Sequence, residues 1–293
     1  MEVRSSYPKP EYRDVISRIE ILDVKNGERR VMQEFDYLVE APNWSPDGKS
    51  LVYNSKGRIF SLDLSTGHSF LIDTAFADEC NNDHLLSPDG KRLAVSHRTW
   101  EDNRSRIYTL PAKGGNPELI TPMGPSYLHG WSPDGKTLTY SGERNGAWDI
   151  YSIPVRGGRE TRLTDGRGRN DGCEYSPCGR YIWYNSTRSG LMQVWRMTKN
   201  GENHTRMTVD DSNNWFPHLS PDGELVSFLR YRKEDVDPED HPANKDVEIR
   251  LMPSKGGPPV TITGLFGGQG TINVNSWSPD SRFLAFVSYR MKA

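Results

Sequence analysis

The apolar positions of this 293-residue chain fall in short β-rich runs and never in long stretches. Arg58–Phe60, Arg106–Tyr108, Asp149–Tyr151, Gln193–Trp195 and Glu248–Arg250 each lead into a glycine-containing pair. Glu118–Thr121, Thr161–Thr164 and Pro259–Thr263 each follow one. The pairs are Asn26-Gly27, Thr66-Gly67, Gly114-Gly115, Gly157-Gly158, Asn200-Gly201 and Gly256-Gly257, and most are type I′ hairpin signals. The pattern predicts strand, tight turn, strand, six times over.

A second series runs out of phase with the first. It reads Trp44-Ser-Pro-Asp-Gly48, Leu86-Ser-Pro-Asp-Gly90, Trp131-Ser-Pro-Asp-Gly135, Tyr175-Ser-Pro-Cys-Gly179, Leu219-Ser-Pro-Asp-Gly223 and Trp277-Ser-Pro-Asp-Ser281. Proline presets the first corner of such a turn, and glycine accepts the positive φ at its end. From serine to serine the steps are 42, 45, 44, 44 and 58 residues. A four-stranded propeller blade takes ~40–50 residues. The repeat therefore predicts an all-β, six-bladed β-propeller with four antiparallel strands per blade, over residues 16–293 behind a tail of residues 1–15. Each blade reads strand A, Ser-Pro-Asp-Gly turn, strand B, variable loop, strand C, glycine turn, strand D.

The phase of the two series also predicts the closure of the ring. The first Asn-Gly turn precedes every Ser-Pro-Asp-Gly turn, and the last Ser-Pro-Asp-Ser turn has no glycine pair after it. Ile16–Val24 and Glu28–Phe35 are then strands C and D of a blade whose strands A and B are Thr271–Trp277 and Arg282–Tyr289. Closing the ring this way removes exposed sheet edges.

Composition agrees with many short strands: 8 Trp, 13 Tyr, 27 Gly and 20 Pro accompany only 34% apolar residues. The net charge of −2 gives no field that would draw nucleic acid or anionic lipid. No stretch approaches the ~20 apolar residues of a membrane helix. The start of the chain lacks the apolar core of a leader, and Cys80, Cys173 and Cys178 are too few for a disulfide framework. The expected setting is the cytoplasm, or the periplasm if a leader has been removed.

The turn series resembles the Trp-Ser-Pro-Asp-Gly repeats of the TolB-like propellers, which are related to those of the prolyl-oligopeptidase and tricorn families. The likeness covers residues 16–290. It implies a propeller scaffold, without the α/β domain that precedes the propeller in TolB. No Gly-x-Ser-x-Gly elbow occurs, so a serine peptidase is not expected of this chain.

Both tight-turn series belong to one face of the disc, which leaves the variable loops and the mouth of the central channel on the other. The entrances to strand A supply polar candidates there: Asn82, Asp83, His84, Tyr127, His129, Arg169, Asn170, Asp171, Asn214, Trp215, His218, Asn273 and Asn275. Trp215 is a candidate stacking platform for a peptide terminus or a sugar. The 14 extra residues of the long step lie in Tyr231–Asp246, where an acidic run ends at His241. That loop reads as solvated, with a calcium or partner site as the alternative.

Three histidines, His84, His129 and His218, stand near the ends of A strands. Oligogalacturonate lyases, propellers of related repeats, use a histidine-bound metal, so a divalent ion is conceivable here. Period-2 geometry turns His218 away from the other two, and no cofactor is expected. The expected function is a non-catalytic binding module for a protein partner or a small polar ligand (peptide or saccharide). The alternative is a metal-assisted carbohydrate-active enzyme.

Overall fold

The Ser-Pro-Asp-Gly turns are latched by their own side chains. In a computed structural model, which describes residues 14–292, Ser45 Oγ donates to Asp47 Oδ1 at 2.6 Å. Asp47 Oδ1 also accepts the Lys49 N–H, and Ser45 Oγ accepts the Ser50 N–H. The serine–aspartate bond recurs at Ser87, Ser132, Ser220 and Ser278, at 2.5–2.7 Å. In the fourth copy Ser176 Oγ meets the Cys178 sulfur at 3.3 Å, so the thiol replaces the carboxylate within the same turn. Ser281 takes the last corner at φ 60°, where the other copies have glycine.

These turns join strands in the predicted order. The described chain begins with β1 (Val15–Asp23) and β2 (Arg29–Phe35). Blade 1 is β3 (Glu40–Trp44), β4 (Ser50–Ser55), β5 (Arg58–Asp63) and β6 (Ser69–Ile72). Blade 2 is β7 (Cys80–Leu86), β8 (Arg92–Arg98), β9 (Ser105–Pro111) and β10 (Glu118–Leu119). Blade 3 is β11 (Ser126–Trp131), β12 (Thr137–Arg144), β13 (Ala147–Pro154) and β14 (Thr161–Arg162). Blade 4 is β15 (Asn170–Tyr175), β16 (Tyr181–Ser189), β17 (Leu191–Thr198) and β18 (Thr205–Arg206). Blade 5 is β19 (Ser212–Leu219), β20 (Leu225–Arg232), β21 (Lys245–Pro253) and β22 (Val260–Gly267). The last strand is β23 (Phe283–Met291). All pairings are antiparallel, and the described residues contain no helix. The tail expected over 1–15 lies almost entirely outside the described residues.

The ring closes as the phase of the turns predicts. β1 pairs with β23 from Val15↔Met291 to Asp23↔Phe283, and β2 lies outside β1. Ile19 and Leu22 of β1 are fully buried by this pairing. Arg282 fastens the turn end through its guanidinium to Asp23, at 2.7 Å.

One expected strand is irregular. Thr271–Trp277 reaches β23 through a single Trp277↔Leu284 bridge, with Ala285 N–H donating to Ser276 O and Val287 N–H to Thr271 O. The cause is in its asparagines. Asn273 Oδ1 accepts the Gly270 N–H, and Asn275 Oδ1 accepts the Trp277 N–H, so side chains take the place of ladder bonds.

The inner strands of blades 1, 4 and 5 carry β-bulges with a left-handed residue, at Ala41 (φ 53°), Gly172 (φ 58°) and Phe216 (φ 57°). At Gly172 a Cβ would stand 2.3 Å from Asn185 Oδ1, so glycine is required there. A bulge breaks the alternation of faces and re-aims the side chains that follow it. Between blades, buried aromatic and aliphatic side chains such as Trp183, Phe228 and Met252 form the core.

Candidate site at the channel mouth

Inner strands from different blades converge on a cavity of about 250 Å³ at the loop end of the channel. β7 contributes Asp83, β11 contributes Tyr127 and His129, and β15 contributes Asp171, with Arg169 just before it. Asn273 and Gln269 come from the irregular inner segment of the closing blade. His241 arrives from the long loop between β20 and β21.

The charges are arranged unequally. His129 Nε2 lies 2.9 Å from Asp171 Oδ1, across the junction of blades 3 and 4, and both groups are buried. Arg169 stands 3.5 Å from the other oxygen of Asp171. Burial alone would lower the pKa of His129, but the Asp171 hydrogen bond and the charges of Asp83 and Asp171 raise it above its ordinary value. Burial likewise pushes Asp171 upward. Its hydrogen bond with His129 and the positive charges of His129 and Arg169 outweigh that and hold it far below the carboxylate range. The pairing thus favours the protonated form of His129 and the ionised form of Asp171.

Asp83 has no such partner. Its carboxylate accepts the Asn81 amide at 2.7 Å, and no Lys or Arg reaches it. Burial pushes it up to about 6. Beside it, Glu40 accepts the Asn82 amide at 3.3 Å, and burial together with the charge of Asp83 pushes it up to about 7. Three polar nitrogens at the cavity, His129 Nδ1, Arg169 Nε and His241 Nδ1, are buried without a well-formed hydrogen bond.

Aromatic rings form one wall. Tyr127 and Trp148 stack at 5.8 Å, and the Arg169 guanidinium lies 4.8 Å above the Trp148 ring. Phe216, turned by its bulge, lies 6.3 Å from His129.

The loop beyond β20 is a cap as well as a charged arm. Glu234, Asp235, Asp237, Glu239 and Asp240 are exposed, as a solvated loop requires. Its apolar residues point inward: Val236 is buried, and Pro242 O accepts from the Tyr231 hydroxyl. His241 stacks on Trp215 with centroids 4.2 Å apart. Burial lowers its pKa to about 4, so the ring is neutral.

Seven sequence candidates thus meet at the cavity: Asp83, Tyr127, His129, Arg169, Asp171, His241 and Asn273. The others are placed elsewhere. Asn82 is engaged with Glu40. Asn170 is tied to Asp149 and the Trp148 carbonyl, and Asn214 to Asp210 and Thr208, so both pin loops. Trp215 is fully buried under His241 and offers no face to a ligand, which corrects its reading as a platform. His218 and Asn275 meet at Glu174 deeper in the channel, with His218 Nδ1 2.7 Å from Glu174 Oε2 and the Asn275 amide on Oε1 at 2.6 Å. His84 is fully buried and driven by burial to about 4, with no well-formed hydrogen bond at either ring nitrogen.

Those placements leave no metal triplet. His129 is held by Asp171, and His218 by Glu174 and the Ile272 carbonyl. Among the described residues no three His, Cys, Asp or Glu side chains form a group that could hold a metal ion. A histidine-bound ion of the lyase kind does not fit this donor set.

Trp148 and Phe216 are cavity residues that the inspection of A-strand entrances misses. Trp148 opens strand C of blade 3, and Phe216 turns inward only because of the bulge.

Residues 86–255 match the family model of the TolB β-propeller domain. An uncharacterized protein of Agrobacterium fabrum is 49% identical over 274 residues, covering 93% of this chain and 92% of its own. A solved Agrobacterium tumefaciens structure that carries the TolB name superposes with a TM-score of 0.91 at 48% identity, over 94% of this chain and 99% of the other. TolB of Acinetobacter baumannii shares the fold at 20% identity and a TM-score of 0.67, with 88% of this chain matching 65% of that one. With its six latched turns, its closed ring and these relatives, the chain belongs to the TolB β-propeller domain family.

Proposed function

We propose that this propeller is a non-catalytic binding module that holds a small polar ligand, or the exposed end of a protein partner, in the capped mouth of its channel. The observation that carries the reading is the cavity between blades. It combines an aromatic wall, an internally paired His129–Asp171, and polar groups without partners. Such a mixture of apolar surface and a few convergent polar groups is what ligand cavities present. The close acid–base pair lining the cavity, His129–Asp171, is engaged with itself and has no open nucleophile beside it. The reading needs neither metal nor organic cofactor.

The three cysteines are free thiols, which supports a reducing compartment and a cytoplasmic setting, with the periplasm as the alternative. The described residues hold no helix able to cross a membrane. A ligand-observed NMR screen of amino acids, short peptides and saccharides tests the reading. Hits that disappear with Trp148→Ala support it. Hits that persist unchanged in that variant, or a screen without hits, contradict it.

A further inference from the structure

Asp171 meets both basic side chains of the cavity, His129 at 2.9 Å and Arg169 at 3.5 Å. Asp83 is left with an amide, and the neighbouring Glu40 with another. Neither carboxyl forms an ion pair with a side chain among the described residues, although Asp83 is buried and lines the cavity. A buried carboxylate without a cation is costly unless something brings one. On the other side, His129 Nδ1 is buried and makes no well-formed hydrogen bond. Nε2 is paired to Asp171, and in the protonated ring, which the charges of Asp171 and Asp83 favour, Nδ1 carries a hydrogen and requires an acceptor. Asp83 therefore lacks an ion-pair partner at contact distance, and His129 Nδ1 lacks a well-placed acceptor.

Resting on the reading of this cavity as the binding site, we propose that it takes the amino end of an α-amino acid or peptide. The ligand's ammonium sits on Asp83 beside Glu40, and its first carbonyl oxygen accepts from His129 Nδ1. Such a group carries an ammonium and a carbonyl acceptor oxygen three bonds apart, and a cavity of about 250 Å³ has room for one or two residues. Tyr127 and Trp148 then flank the first side chain.

The groups facing Asp83 are Glu40, His129 and Asp171, and those facing Glu40 are Asp83 and Tyr289. Asp83 and Glu40 hold protons up to about 6 and about 7. Both must be ionised to hold an ammonium fully, so affinity rises with pH through that range.

Calorimetry on the full chain at about pH 7.3, where the α-amino group is still mostly protonated, tests the proposal with three probes: Ala-Ala-Ala, its N-acetylated form and L-alaninamide. At least one free-amine probe is expected to bind, the acetylated peptide at least ~30-fold more weakly, and Asp83→Asn to lose at least ~10-fold. Near pH 5.5 the wild type should bind ~10-fold more weakly than at about pH 7.3. Binding of L-alaninamide as tight as that of the peptide points to free amino acids, and its weakness to polypeptide ends; either result supports the ammonium seat. Equal binding of the acetylated peptide, an unaffected Asp83→Asn, or no binding by either amine overturns it. If Trp148→Ala abolishes binding while Asp83→Asn does not, the ammonium seat fails and the cavity stands. If neither variant matters, the cavity itself is contradicted.

Discussion

The imidazole of His241 lies on the indole of Trp215, with ring centroids 4.2 Å apart and 19° between their planes. The contact joins the tip of the long loop of blade 5 to a fully buried residue of the inner strand of that blade. It turns an acidic loop into the roof of the channel mouth.

Removing that roof has a spectroscopic consequence. His241→Ala should uncover Trp215, shift its fluorescence to the red and speed amide exchange in residues 233–244. Aromatic pairs contribute about 0.5–1.5 kcal/mol beyond area burial, so a stability loss of about 1–2 kcal/mol is expected in urea unfolding. An unchanged emission spectrum would mean that the loop is not held by this stack.

His129 and Asp171 make a prediction about titration. The folded pKa of His129 is raised, so its contribution to stability is complete below the ordinary histidine value and fades as pH rises through the folded one. Asp171→Asn removes the hydrogen bond and charge that oppose burial. The His129 midpoint, followed by NMR of its ring proton, should then fall below about 6.5. A midpoint that stays high would place its cause outside this pair.

Glu40 should act with the same pH sign, in its own pH window. Its folded pKa of about 7 exceeds its ordinary 4.5, so the folded state holds the extra proton between those values. Stability therefore falls as pH rises through that window. Glu40→Gln should be more stable than the wild type at about pH 8, by about 1–2 kcal/mol, with the gap closing towards about pH 5. A gap independent of pH would contradict the assignment.

The deeper pair, His218 with Glu174, is structural. Removing one member of a buried pair costs about 3–5 kcal/mol. His218→Ala should lower urea stability by about that amount, because Glu174 keeps only Asn275 and the Leu219 N–H. A loss below about 1 kcal/mol would contradict a paired, buried His218.

Closure is testable by truncation. Without residues 1–36, β23 loses β1 along nine paired positions and the buried Ile19 and Leu22. The truncated protein should be insoluble, and one that melts normally would contradict the closed ring.

The architecture was legible because its signals are local. Proline, aspartate and glycine at fixed offsets encode a turn, and the phase of two turn series encodes closure, with three of the four closing strands within two residues of the observed ends and Thr271–Trp277 irregular. The site was legible only in part. Asp83, His129 and Asp171 stand on inner strands whose entrances could be found from the turns. Bulges at Ala41, Gly172 and Phe216 break the alternation on which facing was judged, and nothing in the sequence marks them except Gly172. Trp215 reads as a free aromatic until a loop 26 residues later covers it, a long-range contact that periodicity does not report. Trp148 was missed because strand C reaches the mouth from outside the inner ring.

The most direct measurement is an NMR titration of the wild-type chain with Ala-Ala-Ala, read at the indole N–H signals of Trp148, Trp44 and Trp183. Trp148 lines the mouth, Trp44 borders the groove on the tight-turn face, and Trp183 is buried between blades. Occupation of the channel mouth shifts Trp148 saturably and leaves Trp44 and Trp183 in place. A stationary Trp148, or a saturable shift at Trp44 instead, contradicts a binding site at the mouth.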